Sequence, residues 1–287
     1  MMRIKLGMET AISDKTYSSY DEEFRCVDGL PLLASIYQPK GSGPHPAIVE
    51  VHGGAWTAGD RLRNARMAEY LASQGIFVLS IDFRMPPVAA YPASLVDINF
   101  AIRWLKSRAS ELNIVAEKIG GLGTSSGGHQ IMLSAMRPND LRYSAAPLGA
   151  DGSLDARLAF VIACWPILDP LGRYKMAIKE GKTRLIEGHH AFWADEAEMS
   201  EGSPQEILDR GEPATLAPAL IVQGTADDNL DHLTINRFAD SYRNAGGTIE
   251  FRKYEGAAHA FIEHKFDGEH ARDALNVIRD FIFAQSA

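Results

Sequence analysis

Hydrophobic and polar positions change period repeatedly along this chain, and the changes divide it into short elements. Residues 22–38 alternate and break at Asp28-Gly29, a pair suited to a tight two-residue turn, so a β-hairpin is expected. Beyond it, β-branched and apolar runs at 47–51, 76–81, 118–122, 158–164, 219–223 and 248–254 predict strands. Segments of helical period lie among them at 61–73, 92–112, 128–136, 232–245 and 269–284. In the second of these, Leu95, Ile98, Ile102, Leu105 and Leu112 share one stripe. In the last, Ala271, Ala274, Leu275, Ile278, Phe281 and Ile282 do the same. Apolar strands alternating with amphipathic helices predict an α/β fold: a mostly parallel sheet covered on both faces and led in by the antiparallel hairpin.

One stretch departs from this rhythm. Residues 166–216 are far longer than a usual strand-to-helix connection and mix helical pieces with Gly and Pro. They are expected to form a small cap over one edge of the sheet. Residues 1–21 are read as an N-terminal arm and 22–287 as a single domain, with no internal repeat.

Composition narrows the class. A chain of 287 residues, 46% hydrophobic and 23% charged, has enough apolar material for one large core. Its formal net charge of −8 argues against a nucleic-acid or anionic-membrane partner, since both demand concentrated Lys and Arg. No run approaches the length of a membrane-spanning helix. The first 21 residues lack the apolar stretch of a signal peptide, so a cytoplasmic location is the expectation. The two cysteines, Cys26 and Cys164, sit in apolar runs and are expected to be buried free thiols.

The chemistry starts at Gly123-Thr124-Ser125-Ser126-Gly127, between a strand and a helix. Gly-x-Ser-x-Gly in that position is a nucleophile elbow, a turn so sharp that only small residues fit two positions either side of the serine. The hydroxyl is thereby lifted above the sheet, beside the N-terminus of the following helix. A nucleophilic serine needs a base, a carboxylate to orient the base, and donors for the oxyanion.

Those partners follow in order, each just past a strand end. After 219–223 comes Gly224-Thr225-Ala226-Asp227-Asp228, and after 248–254 comes Glu255-Gly256-Ala257-Ala258-His259. Asp227 is favoured as the acid because it lies at the turn, with Leu230 to anchor it; Asp228 or Asp231 then serves as a helix N-cap. His259 is favoured as the base because small residues surround it, and His264 is the runner-up. His45, His129, His232 and His270 are assigned structural or surface roles. Oxyanion donors are expected from the loop His52-Gly53-Gly54-Ala55-Trp56, with Gly53, Gly54 and Ala55 joined by the N–H of Ser126. Trp56, Trp165, His189, Phe192 and Trp193 are expected to shape the substrate pocket, on their placement beside the loop, at a strand end and in the cap. Dinucleotide, P-loop and zinc signatures all fail on inspection, so no cofactor or metal is expected.

The loop at 52–56, the elbow extended through Gly128-His129, and Ile81-Asp82-Phe83-Arg84 followed by Tyr91-Pro92-Ala93 together resemble α/β-hydrolase esterases. The likeness is to the hormone-sensitive-lipase-like and acetylesterase group, with the related kynurenine formamidases, and it covers about residues 22–284. The segment from Asp97 to Leu105 fits the helix this group places next. The resemblance implies the α/β-hydrolase fold and metal-independent hydrolysis of small acyl substrates through an acyl-enzyme. Departures from the group are Ala55 for a third glycine, Thr124 for Asp or Glu, and Ser126 for Ala. The expected function is therefore a serine carboxylic ester hydrolase for short acyl groups. An amide-bond hydrolase, either an aryl formamidase or a small peptidase, is the alternative on the same machinery. A non-catalytic binding protein is disfavoured by the full residue set. Physiological substrate and oligomeric state are left open.

Overall fold

A computed structural model of the chain describes residues 15–148, 154–230 and 232–287. The hairpin forms as expected from β1 (Tyr17–Val27) and β2 (Leu30–Pro39), with Asp28 at φ 50° and Gly29 at φ 82° in the turn. The strands that follow are β3 (His45–Val51), β4 (Phe77–Ile81), β5 (Ile114–Thr124), β6 (Val161–Cys164), β7 (Ala219–Gly224) and β8 (Ile249–Tyr254). Among the described residues these eight make one sheet in the order β1-β2-β4-β3-β5-β6-β7-β8. The β1–β2 and β2–β4 pairs are antiparallel and every other pair is parallel.

Side chains alternate between the two faces of these strands, as a pleated sheet requires. Val49, Val51, Leu79 and Ile81 face one layer, where they meet α2 (Ala93–Ser107) and α3 (Ser126–Met136); α9 (His232–Asn244) covers the same layer farther along, beside β8. Ile48, Val78, Ile162 and Leu220 face the other, against α1 (Ala65–Ser73) and α11 (Glu269–Ser286). A buried sheet with helices on both faces is the predicted α/β architecture. All strands from β3 onward end on the same side, so the loops that follow them converge along one edge. Of the short helices, α4 (Leu141–Ser144) precedes β6 and α10 (Phe261–His264) follows β8. Between β6 and β7 lie α5 (Pro170–Lys179), α6 (Thr183–Phe192), α7 (Glu196–Glu201) and α8 (Pro204–Asp209).

Several expectations need correction. β1 starts at Tyr17, so residues 17–21 belong to the sheet rather than to an arm, while 1–14 lie outside the described residues. The first helix begins at Ala65, not at 61, because the Arg61 backbone N–H and guanidinium both donate to the Asp82 carboxylate and hold the chain in a turn. α2 ends at Ser107, where Arg108 is drawn to Glu22 and Glu111. Cys164 is a buried free thiol, but Cys26 is exposed, because edge strand β1 points it away from the core. No helix among the described residues is long and apolar enough to cross a membrane.

Candidate active site

The elbow sits between β5 and α3, and contact explains its sequence. Ser125 adopts φ 52° and ψ −118°, a conformation that costs an L-residue about 1–3 kcal/mol. A Cβ on Gly123 would lie 2.3 Å from the Gly127 carbonyl oxygen, and one on Gly127 would lie 2.1 Å from that of Val51. Both positions are therefore closed to any other residue while this turn is kept.

Ser125 Oγ lies 3.0 Å from His259 Nε2, and His259 Nδ1 lies 2.8 Å from Asp227 Oδ2. The structure thus brings the three predicted residues into one hydrogen-bonded chain drawn from the ends of β5, β7 and β8. Asp227 is fixed on every side. Its Oδ2 also accepts from Gln223 Nε2 at 2.8 Å, and its Oδ1 accepts from the Asn229 backbone N–H at 2.9 Å. Asp228 is exposed and takes no part, and Leu230 is buried beneath the turn. Asp231 lies outside the described residues. His264, at the end of α10, is also exposed and makes no contact with the serine.

The loop after β3 passes beside the elbow and is bonded to it twice. Gly53 N–H donates to Thr124 Oγ1 at 3.0 Å, and Trp56 N–H donates to Ser126 Oγ at 3.1 Å. Gly53 therefore has no N–H left for an oxyanion, which corrects its expected role. Its contribution is clearance: a Cβ there would lie 2.9 Å from the Thr124 carbonyl oxygen and 3.1 Å from Ser125 Cβ. Gly54 and Ala55 complete the loop, with Ala55 at φ 53° and Trp56 at φ 63°. The N–H groups of Gly54, Ala55 and Ser126 are the remaining candidates for the oxyanion donors.

The pocket assignment also needs correction. Trp56, Trp165, His189, Phe192 and Trp193 are each at most 2% exposed, so none lines an open cleft: His189, Phe192 and Trp193 pack against Trp56 of the loop, and Trp165 packs against Phe261 and the His259 ring. The Trp56 ring stacks on Phe192 at 5.5 Å and meets Trp193 edge-on at 5.8 Å. Trp56 Nε1 donates to His129 Nδ1 at 3.1 Å, and His129 Nε2 lies 2.9 Å from the Gly202 carbonyl oxygen. Burial pushes His129 down to about 4, so it is neutral and donates to that carbonyl. Burial and the nearby Arg173 charge likewise hold His189 down at about 3. Trp193 also borders a cavity of about 270 Å3, but Ser125 and His259 are not among its walls.

Sequence reasoning passed over Gln223, Asn229 and Arg173. Gln223 stands four residues before Asp227 at the strand end, which is a usable signal once the acid is assigned. Among the described residues no cluster of His, Cys, Asp or Glu has the arrangement of a metal site.

The profile of the BD-FAE family matches residues 34–240. Among characterised proteins, the chain is 26% identical to Esterase LipC of Mycobacterium tuberculosis over 235 residues, covering 76% of this chain and 53% of that protein. It is 25% identical to an ethyl acetate hydrolase of Pseudomonas putida over 262 residues, covering 88% and 78%. The chain spans about half the length of the mycobacterial relatives it matches. Among solved structures it resembles the thermophilic esterase Est2 of Thermogutta terrifontis with propionate bound, at a TM-score of 0.74 and 25% identity over 93% of this chain and 94% of that one. The matched span contains the loop, the elbow and the Asp227 turn, and the likeness to the solved esterase runs over nearly the whole chain: the chain belongs to the BD-FAE family and has the α/β-hydrolase fold.

Proposed function

We propose that the protein is a serine hydrolase of carboxylic esters with short acyl groups, working through an acyl-enzyme. The observation that carries this reading is the chain from Ser125 through His259 to Asp227, with contacts of 3.0 and 2.8 Å, set beside a loop of backbone donors. His259 Nε2 takes the proton as Ser125 Oγ attacks the ester carbonyl, and Asp227 holds the Nδ1–H and stabilises the imidazolium. The oxyanion is held by the N–H groups of Gly54, Ala55 and Ser126, each contributing about 2.7–4 kcal/mol to the transition state. His259 then protonates the leaving alcohol and, in the second half, activates the water that releases the acid. The elbow strain keeps the hydroxyl in place before substrate arrives. Segment 166–216 acts as the cap that closes the edge. Short acyl groups are favoured by the company the chain keeps: Est2 of Thermogutta terrifontis was solved with propionate and with butyrate bound.

The test is turnover on p-nitrophenyl esters from acetate to octanoate, with N-formylkynurenine and aminoacyl anilides alongside. Acetate and butyrate esters are expected to be the best substrates. Ser125→Ala should lower kcat about 10⁶-fold with the circular dichroism spectrum unchanged. Substantial turnover by that variant, or preference for the formamide or anilides, overturns the assignment.

A further inference from the structure

α5 starts just beyond the end of β6, where the Asp169 side chain caps it by accepting from the Gly172 N–H at 2.8 Å. One turn in stands Arg173, only 5% exposed. Its guanidinium carbon lies 5.4 Å from the centre of the Trp56 ring, and Nη2 donates to Asn229 Oδ1 at 3.3 Å. The side chain thus reaches from the oxyanion loop on one side to the Asp227 turn on the other. Its Nε and Nη1 are buried with no hydrogen-bond partner. Burial lowers this guanidinium to about 10, which still leaves it charged at neutral pH.

A buried cation with vacant donors is costly, and proteins normally pair it. The Asp227 charge acts on it, and the other carboxylates nearby, the exposed Asp228 apart, are engaged elsewhere. Asp227 is held by His259, Gln223 and Asn229. Asp169 caps its helix and lies 3.7 Å from Arg237, and Glu180 pairs with Lys182 at 2.7 Å. Arg173 and Asp227 together wall a cavity of about 660 Å3, whose apolar walls include Leu168, Met176 and Leu230. That volume suits a small organic ligand. Ser125 and His259 are not themselves among its walls; its Asp227 wall is joined to the nucleophile through His259, which bonds both.

We propose that this cavity receives a carboxylate carried by the substrate and that Arg173 is its anchor, which makes the protein a hydrolase of anionic esters. The inference rests on the ester-hydrolase reading and adds the substrate class. A planar guanidinium with unoccupied N–H groups matches a carboxylate in both charge and geometry. The apolar walls suit the short methylene chain between that carboxylate and the ester. The carboxylate belongs either to the acyl part, as in a half-ester of a short dicarboxylic acid, or to the alcohol part, as in an acylated hydroxy acid.

Two substrate pairs distinguish these sources. Mono-p-nitrophenyl glutarate is compared with p-nitrophenyl valerate, and 4-acetoxybutanoate with butyl acetate. In at least one pair kcat/KM is expected to favour the charged member by roughly tenfold to hundredfold, the range for a buried charge-assisted hydrogen bond. Capping the glutarate carboxylate as its methyl ester, or substituting Arg173→Gln, should remove the preference. If Arg173→Gln loses its circular dichroism signature, Arg173→Lys replaces it; a point charge without the planar fork should keep less than the wild-type ratio. Neutral esters preferred in both pairs, or a ratio untouched by the Arg173 substitution, overturns the anionic-substrate inference and leaves the ester-hydrolase reading standing. Failure of every ester, neutral ones included, overturns both.

Discussion

Glu50→Gln is expected to stabilise the protein above neutral pH and to leave it nearly unchanged in acid. Glu50 lies on β3, 2% exposed, beneath the loop that leads to Gly53. Its Oε1 accepts from Asn64 Nδ2 at 2.6 Å, while Oε2 is buried without a partner. Burial is the main cause that raises this carboxyl from 4.5 to about 7. The folded protein therefore keeps the Glu50 proton through a range where the unfolded chain has released it. Stability from this group is complete below about pH 4.5, falls as pH rises, and is lost once pH passes about 7. A shift of that size amounts to something on the order of 3 kcal/mol at alkaline pH. Glutamine keeps the shape and the acceptor for Asn64 but has no proton to lose. Urea denaturation of both proteins at pH 5 and pH 8 measures the difference directly. The variant should gain about 3 kcal/mol on wild type at pH 8, or roughly 5 °C in melting temperature for a chain of this length, and little at pH 5. An equal effect at both pH values would refute the reasoning, because shape and packing do not change with pH.

Three further outcomes follow from the site. Asp227→Asn should lower kcat about 10⁴-fold by favouring the wrong imidazole tautomer, whereas Asp228→Asn, at an exposed position, should change kcat less than twofold; steady-state kinetics on p-nitrophenyl acetate separates them. Trp193→Ala should cost about 3–5 kcal/mol in denaturant titration without altering the ratio of acetate to octanoate turnover, since the indole packs and does not line the cleft. Ser126→Ala removes the acceptor for the Trp56 N–H and should cost about 0.5–1.5 kcal/mol of loop stability, seen as a several-fold fall in kcat at unchanged KM for p-nitrophenyl butyrate.

What could be read from the sequence depended on how local the cause was. Strand and helix periods express which faces are buried, and the sheet buries both its faces, so the alternation of elements predicted the architecture. The elbow was legible because the contacts that exclude side chains at Gly123 and Gly127 arise within the turn and the adjoining end of β3. His259 and Asp227 were legible because each follows a strand that ends on the same side as β5. Gly53 was misread because its N–H partner, Thr124, is 71 residues away, and nothing near Gly53 reports that pairing. Trp56, Phe192 and Trp193 were misplaced for a related reason. An aromatic side chain beside a catalytic loop fits a pocket wall and a packed joint equally well, and the choice depends on how α6 is rotated against that loop. Arg173 was passed over because an arginine in a helical pattern looks like a solvated surface residue until the fold buries it.

The departures from the esterase group acquire a physical meaning in this light. Thr124 and Ser126 flank the nucleophile, and each accepts a hydrogen bond from the loop that must supply the oxyanion donors. The usual Ala at position 126 has no side-chain oxygen with which to accept one. In this chain the strained turn and the donor loop are therefore tied together on both sides of Ser125, and the same loop is held from the far side by Trp56 bonded to His129. Stabilisation by backbone donors requires that they stand in position before charge develops, since reorganising them during the reaction would cancel their benefit. Ala55 has a further consequence. At φ 53° it lacks the freedom of the glycine common at that position, so the loop must be held in shape by neighbours, and the two elbow hydroxyls are the neighbours that do it. A loop with three glycines can adopt its working conformation without such ties. Of the two hydroxyls, the one at Ser126 adds an acceptor where the usual Ala has none, and it is the Trp56 N–H, next to Ala55, that it holds.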